Sequence, residues 1–464
     1  MLKRRMLLVV TALIVFGGSA TRNTGHAEDR YVVLISVDGL AATYLNDPRA
    51  SLPTLRRLMR IGSSAEGMIT SFPSVTWPSH ISLITGASPA KHGVIGNSVL
   101  DRVTGKKITY IGDATFTKDE CVRVPTLYDA VSHAGMKTAS IIWPACNGAK
   151  TLNWMIPDSN QERLHRKYTT PGLAEELDRA GISISQLGRW GSGHAYSPMR
   201  DATYTRAAKY LLKKHRPNLL LLHLITPDHV EHAYGPHGDE AYWSVANADD
   251  RIREIWETLQ TPPLAGKSTL FIVSDHGFAP YDKLIKPNVV LRRQGLIEVN
   301  SKGKVVKRGV WCHPSGGAAM IYIFDSKNRA RLRSQLKKSL AQIEGVAKVL
   351  DPSEFKRYGL PDPADNSQQA DLMLSAKPGY SFSGSYSGTN PIQDAGGRKG
   401  SHGHLPEARY MHATFIAAGA GIKPGKKLKR ISNLDVAPTI ARLLGVKLPT
   451  AEGRVLNEIL QNER

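Results

Sequence analysis

Cysteine is scarce in this chain: Cys121, Cys146 and Cys312 are the three in 464 residues. At most one disulfide can form, so the fold is no disulfide scaffold, and Cys121–Cys146 is the pairing open to it in an oxidising compartment. The lack of a Cys-x-x-Cys pair argues against a thiolate zinc site. Long apolar runs are equally scarce. Met6–Phe16 spans eleven residues, too short for a confident membrane span, and nothing later is long enough. Lys3, Arg4 and Arg5 precede that run, and small residues follow at Gly17–Ala20 and at Gly25 and Ala27. This pattern predicts a secretory signal cleaved after Ala20 or Ala27, and hence a secreted or periplasmic protein without a membrane span. Acids are outnumbered, 40 to 61, giving a formal charge of +21. Removing residues 1–27 takes away four cations and no acid, leaving +17. Such a field attracts anions in general. The cations are scattered, densest at Lys423–Arg430, with no repeat that marks a nucleic-acid module. The charge therefore reads as steering and solvation, with no specific nucleic-acid partner. What is present in quantity is ordinary core-forming sequence: 41% hydrophobic residues, enough for one large domain over residues 28–464.

Two stretches share one pattern. Tyr31–Val37 is a continuous apolar run ending in Asp38-Gly39, and Thr269–Ser274 is another ending in Asp275-His276-Gly277. Both read as buried parallel strands, whose C-terminal ends are where open α/β sheets place ligands. A third apolar strand, Leu219–Ile225, empties into Thr226-Pro-Asp228-His-Val-Glu-His232. One helical turn brings Asp228 and His232 onto one face, and carboxylate with imidazole suits a divalent ion. His229, Glu231 and His237 compete for that role. Three acids at strand exits would repel one another without cations.

Ser74-Val-Thr76-Trp77-Pro78-Ser79-His80 precedes an apolar helical pattern. It places Thr76 in a first turn, where free N–H groups and the helix dipole favour a phosphate while the hydroxyl attacks it. Asn97, after Gly96, carries an amide able to donate to a phosphoryl oxygen. Gly400-Ser-His402-Gly403-His404 offers imidazoles flanked by glycines, which allow close approach.

Further helices are expected at 54–61, 125–134, 203–214, 246–259, 330–343 and 432–444. Strands are expected at 65–69 and 137–143, and a last one at 411–418. Residues 152–199 read as irregular, part of an insertion over the site at about 150–200. Shorter alternating segments, 318–324 and 371–375, suggest a smaller cap at about 283–395. Residues 380–399 read as a mobile loop.

These motifs, in this order over about residues 31 to 420, resemble the type I phosphodiesterase / nucleotide pyrophosphatase branch of the alkaline phosphatase superfamily. The resemblance implies an α/β fold: a mostly parallel sheet sandwiched by helices, with an inserted cap. It implies two divalent metal ions, Zn²⁺ in the family. One would be held by Asp228, His232 and His402 (His402 rather than His404), the other by Asp38, Asp275, His276 and the Thr76 oxygen. Thr76 would be the nucleophile of a phospho-threonine mechanism, with Asn97 on a phosphate oxygen, and the partner a small-molecule phosphodiester or pyrophosphate. Nucleotide-cleaving relatives flank the base with an aromatic after the nucleophile, here Trp77, and a tyrosine five residues before the acid, here His223. Monoesterase and phosphonate-hydrolase relatives carry cations near the strand at 138–143, where this chain has none. A diester is therefore expected over those alternatives.

Overall fold

The computed structural model describes residues 30–112, 116–159, 161–185, 187 and 196–462. The signal segment expected at 1–27 lies outside the described residues. Among the described residues no helix is long and apolar enough to cross a membrane.

Eight strands form the central sheet: β1 Tyr31–Val37, β2 Ser63–Ile69, β3 Thr138–Ile141, β4 Trp154–Ile156, β5 Leu219–Leu224, β6 Ser268–Val273, β7 Phe415–Gly419 and β8 Lys426–Ser432. Their order is β8-β2-β7-β6-β1-β5-β3-β4. Every pairing is parallel except those of β7, which runs against both β6 and β2. The unbroken apolar runs follow from burial on both faces. Val33, Ile35 and Val37 pack with the helices Pro53–Ile61, Ser197–Lys214 and Asp239–Leu259, and Val32 and Leu34 with Leu127–His133 and Val436–Leu443. Register places the functional ends together: Val37 pairs with Leu224, and Ser36 with Val273. The three strands thus release their chains at one level, at the C-terminal edge of the sheet.

Two long-range carboxylates organise helix starts. Asp249 accepts the N–H groups of Thr54 and Leu55 at 2.9 and 2.7 Å. Asp201 accepts those of Ile225 and Thr226 at 3.0 Å, and the Thr226 hydroxyl at 2.5 Å. The second interaction caps Thr226–Tyr234, the helix that carries Asp228 and His232.

A smaller four-stranded antiparallel sheet joins Val310–Ser315, Ala318–Ile323, Leu372–Ala376 and Val346–Leu350, with helix Arg329–Ala341 against it. Ala318–Ile323 is buried throughout rather than alternating, because each face has its own core. Met320 and Tyr322 meet Trp77 and Ile81, whereas Ile321 and Ile323 meet Leu336 and Leu340.

Four expectations are corrected. Residues 152–199 contain β4 and the helices Glu162–Tyr168 and Leu173–Arg179. These helices have two turns each and bury only Leu164, His165, Tyr168, Leu173 and Leu177, too few to mark a period. Residues 380–399 are not a loop: Gly379–Phe382 and Ile392–Ser401 flank Ala279–Ile285 in a three-stranded sheet. Their glycines and serines hid an extended pair. The strand expected at 411–418 is not the last, since the Lys/Arg-rich Lys426–Ser432 is an edge strand, where charge blocks further pairing. Cys121, Cys146 and Cys312 are separate buried thiols, so the Cys121–Cys146 bridge is absent.

Candidate metal centre

Asp38, Asp228, Asp275 and His276 all lie just beyond the exits of β1, β5 and β6, adjacent in the sheet. His402 arrives from the far end of the sequence. Pairing of Ser401 with Ala279 carries it back beside the chain that has just left Asp275 and His276. The glycines around it are required. A Cβ at Gly400 would stand 2.3 Å from the Glu231 carbonyl oxygen. At Gly403, with φ +94°, it would stand 2.3 Å from the Ser315 carbonyl oxygen.

Two clusters of ligand atoms result: Asp228, His232 and His402, and Asp38, Asp228 and His276. In the first, His232 Nε2 is 3.3 Å from Asp228 Oδ1 and 3.2 Å from His402 Nε2. Each of these rings turns its Nδ1 to a backbone carbonyl, Gly400 for His232 and Ser74 for His402, both at 3.1 Å. The Nδ1–H therefore donates there, and the two Nε2 lone pairs face each other. Facing lone pairs repel unless a cation lies between them. In the second cluster, His276 Nε2 is 3.3 Å from Asp38 Oδ1 and 3.1 Å from Asp275 Oδ2.

Asp275 and Asp38 are each held by one carboxylate oxygen and open at the other. Asp275 Oδ1 accepts the N–H groups of Gly39 and His276 at 3.2 and 3.0 Å. Its Oδ2, Asp38 Oδ1, Asp228 Oδ1 and both ring nitrogens of His276 are buried without a hydrogen bond. Burial, with Asp275 and Asp228 nearby, pushes the Asp38 carboxyl well above its usual range. Burial and the neighbouring His276 and His232 hold His402 well below the usual range. Burial also opposes charge on Asp228, yet His232 and His402 bring it below its ordinary value. A buried set of carboxylate oxygens and imidazole nitrogens left without hydrogen bonds is the donor set of a divalent cation.

Thr76 opens helix Thr76–Thr85, and all ten residues of that helix are buried. Its carbonyl lies 2.8 Å from His80 Nδ1, and the same nitrogen lies 3.6 Å from Asp275 Oδ2. His80 thus links the first turn of this helix to the Asp275 carboxylate. The only sequence signal for it is its place four residues after Thr76. Asn97 Oδ1 accepts the Trp77 N–H at 2.8 Å, which fixes the amide so that its NH₂ points elsewhere.

Two expected substrate residues are placed differently. Trp77 is 1% exposed and packs at 5.7 Å against Tyr110, so its face offers no wall to a base. His223 is 2% exposed, with Nε2 3.0 Å from Asp38 Oδ2. As a β5 residue ending at the sheet's edge, it points into the layer beneath the acids. Of the competing groups, Glu231 is fully buried, and burial raises its carboxyl well above the usual range. His237 stacks on Tyr44 at 4.4 Å. His404 packs edge-on to Tyr410 at 5.6 Å. None of these three joins either ligand cluster.

This sheet, with acids and imidazoles at adjoining strand exits and a threonine heading a buried helix, is the architecture of alkaline-phosphatase-like hydrolases. The structure of murine ectonucleotide pyrophosphatase / phosphodiesterase 5 shares it, with a TM-score of 0.68 at 17% identity, covering 93% of this chain and all of that one. The type I phosphodiesterase / nucleotide pyrophosphatase model matches residues 32–404, and the chain belongs to that family of hydrolases acting on phosphoric ester bonds. A Schizosaccharomyces pombe protein named an uncharacterized pyrophosphatase/phosphodiesterase is 26% identical over 93% of this chain and 80% of its own length. Human ectonucleotide pyrophosphatase/phosphodiesterase family member 1 is 23% identical over 93% of this chain. A venom phosphodiesterase of Crotalus durissus collilineatus is 22% identical over 96%. The chain spans less than half the length of the human and venom proteins, 42% and 48%.

Proposed function

We propose that this protein hydrolyses phosphodiester or pyrophosphate bonds of nucleotide type through a phospho-threonine on Thr76, with two divalent ions, Zn²⁺ by the chemistry of the donors. The observation that carries this reading is the convergence of imidazole nitrogens and carboxylate oxygens, several of them buried without a hydrogen bond, around Asp38, Asp228, Asp275, His276, His232 and His402. Bound ions there would supply Lewis acidity to the Thr76 hydroxyl and to the leaving oxygen.

The chain's own groups do the rest. Thr76 Oγ1 forms the new bond to phosphorus as the bond to the leaving oxygen breaks, and water then cleaves the phospho-threonine. The Trp77 N–H holds Asn97 by its oxygen, leaving the Asn97 NH₂ to donate to a non-bridging phosphoryl oxygen. Strand β3, Thr138–Ile141, is fully buried and carries no cation to neutralise a second negative charge, which favours diesters over monoesters. The segment at about 283–395 serves as the cap, and the N-terminal 27 residues as an export signal to the periplasm or exterior.

Hydrolysis of bis-p-nitrophenyl phosphate should exceed that of p-nitrophenyl phosphate, and both a chelator and Thr76→Ala should abolish it. A monoester preference would refute the specificity argument, and chelator-insensitive turnover would refute the metal reading.

A further inference from the structure

His223 has a different task from the one its sequence position suggested. Its ring lies between two acceptors: Nδ1 is 3.3 Å from the Ile142 carbonyl oxygen, and Nε2 is 3.0 Å from Asp38 Oδ2. The carboxylate is the stronger acceptor and the shorter contact, so Nε2 carries the hydrogen that it receives. That bond occupies one oxygen of Asp38 and leaves the other, Oδ1, turned to His276 Nε2 at 3.3 Å without a hydrogen bond. Asp275 is treated in the same way by two backbone N–H groups. Among the described residues no backbone N–H donates to the Asp38 carboxylate, and the imidazole takes that place.

The neighbouring backbone is shaped to hold the ring. Ile142 has φ +48°, in a region that a β-branched residue adopts only under strain. The surrounding structure holds it there: its N–H donates to the Ile156 carbonyl at 2.7 Å, while its own carbonyl meets His223. On the open flank, His80 packs at 4.3 Å between ring centroids. The ring is thus held through Nε2 and flanked by the His80 ring.

We propose that His223 is a positioning residue for Asp38, fixing which carboxylate oxygen is presented to the ion at Asp38, Asp275 and His276. This inference rests on the two-metal reading above. Partners in this outer layer set metal affinity by about 10–100-fold.

The test titrates metal-stripped full-length protein with Zn²⁺ against a chromophoric chelator, for wild type, His223→Leu and His223→Gln. Wild type should take up two ions. His223→Leu should keep one site at wild-type affinity and weaken the other by about 10–100-fold. His223→Gln, whose amide carries an N–H to a similar reach, should recover most of the loss. In turnover, His223→Leu should lower kcat with KM little changed when zinc is limiting, and excess zinc should restore it. ¹⁵N spectra of histidine-labelled wild type provide a second readout that requires no variant, and should show the His223 hydrogen on Nε2. Two wild-type-like sites in His223→Leu, failure of Gln to rescue, or a bare Nε2 would each overturn the inference while leaving the two-metal reading intact. Wild type without two zinc sites would overturn both.

Discussion

Asn97 is the residue whose contribution is simplest to isolate. Its oxygen is committed to the Trp77 N–H at 2.8 Å, so one orientation of the amide is fixed. Asn97→Ala should lower kcat by about 10²–10³-fold, the loss typical of one preorganised donor to a developing oxyanion. Asn97→Asp keeps the acceptor for Trp77 but sets a carboxylate against the phosphoryl group, so it should be no better; steady-state kinetics on the diester check both. His402→Ala removes one lone pair of the facing imidazoles, and zinc content by mass spectrometry should fall from two ions towards one. At this scale the sequence was partly readable. Acids after apolar runs mark themselves as strand exits, and two residues spaced by four mark a helix face. The company of His223 and Trp77 was not readable, because burial against Asp38 and Tyr110 is set by residues far away in the chain.

The helix Thr226–Tyr234 depends on an element it does not touch in sequence. Its own first residue before the helix, Ile225, provides no side-chain cap. Asp201, near the start of Ser197–Lys214, satisfies the Ile225 and Thr226 N–H groups instead. Asp201→Ala should therefore cost about 1–3 kcal/mol, the penalty of orphaned buried donors, seen as a lower melting temperature. It should also loosen zinc at Asp228 and His232, whereas Asp201→Asn, which keeps an acceptor, should do less. Element type was legible wherever an apolar period ran long, as in Asp239–Leu259. It was illegible where short strands alternate Gly, Ser and charge, as in Ile392–Ser401, whose pairing with Ala279–Ile285 is a tertiary fact.

Several histidines are buried neutral over the whole molecule, and this sets the acid limit. Burial lowers His404, His165 and His313 to about 4 and His92 to about 3. The unfolded chain takes up protons near pH 6.5 before the folded one does, so stability is complete above that value and falls as pH drops towards 4. For His404 alone, the interval corresponds to about 3 kcal/mol. Melting temperature should fall steadily from pH 7 to pH 4, and His404→Gln should flatten part of that slope. A curve flat down to pH 4 would show that these rings already protonate in the folded state.

Strand β7, Phe415–Gly419, lies between β6 and β2, so the helix bearing Thr76 is joined to the acids of β1, β5 and β6 through it. A chain ending near residue 408 would contain Thr76 and every proposed ligand, yet should show no turnover. Phe415–Gly419 comes late in the chain, so the Thr76 side and the acid side of the proposed site would be joined into one sheet only once that strand has paired with both neighbours.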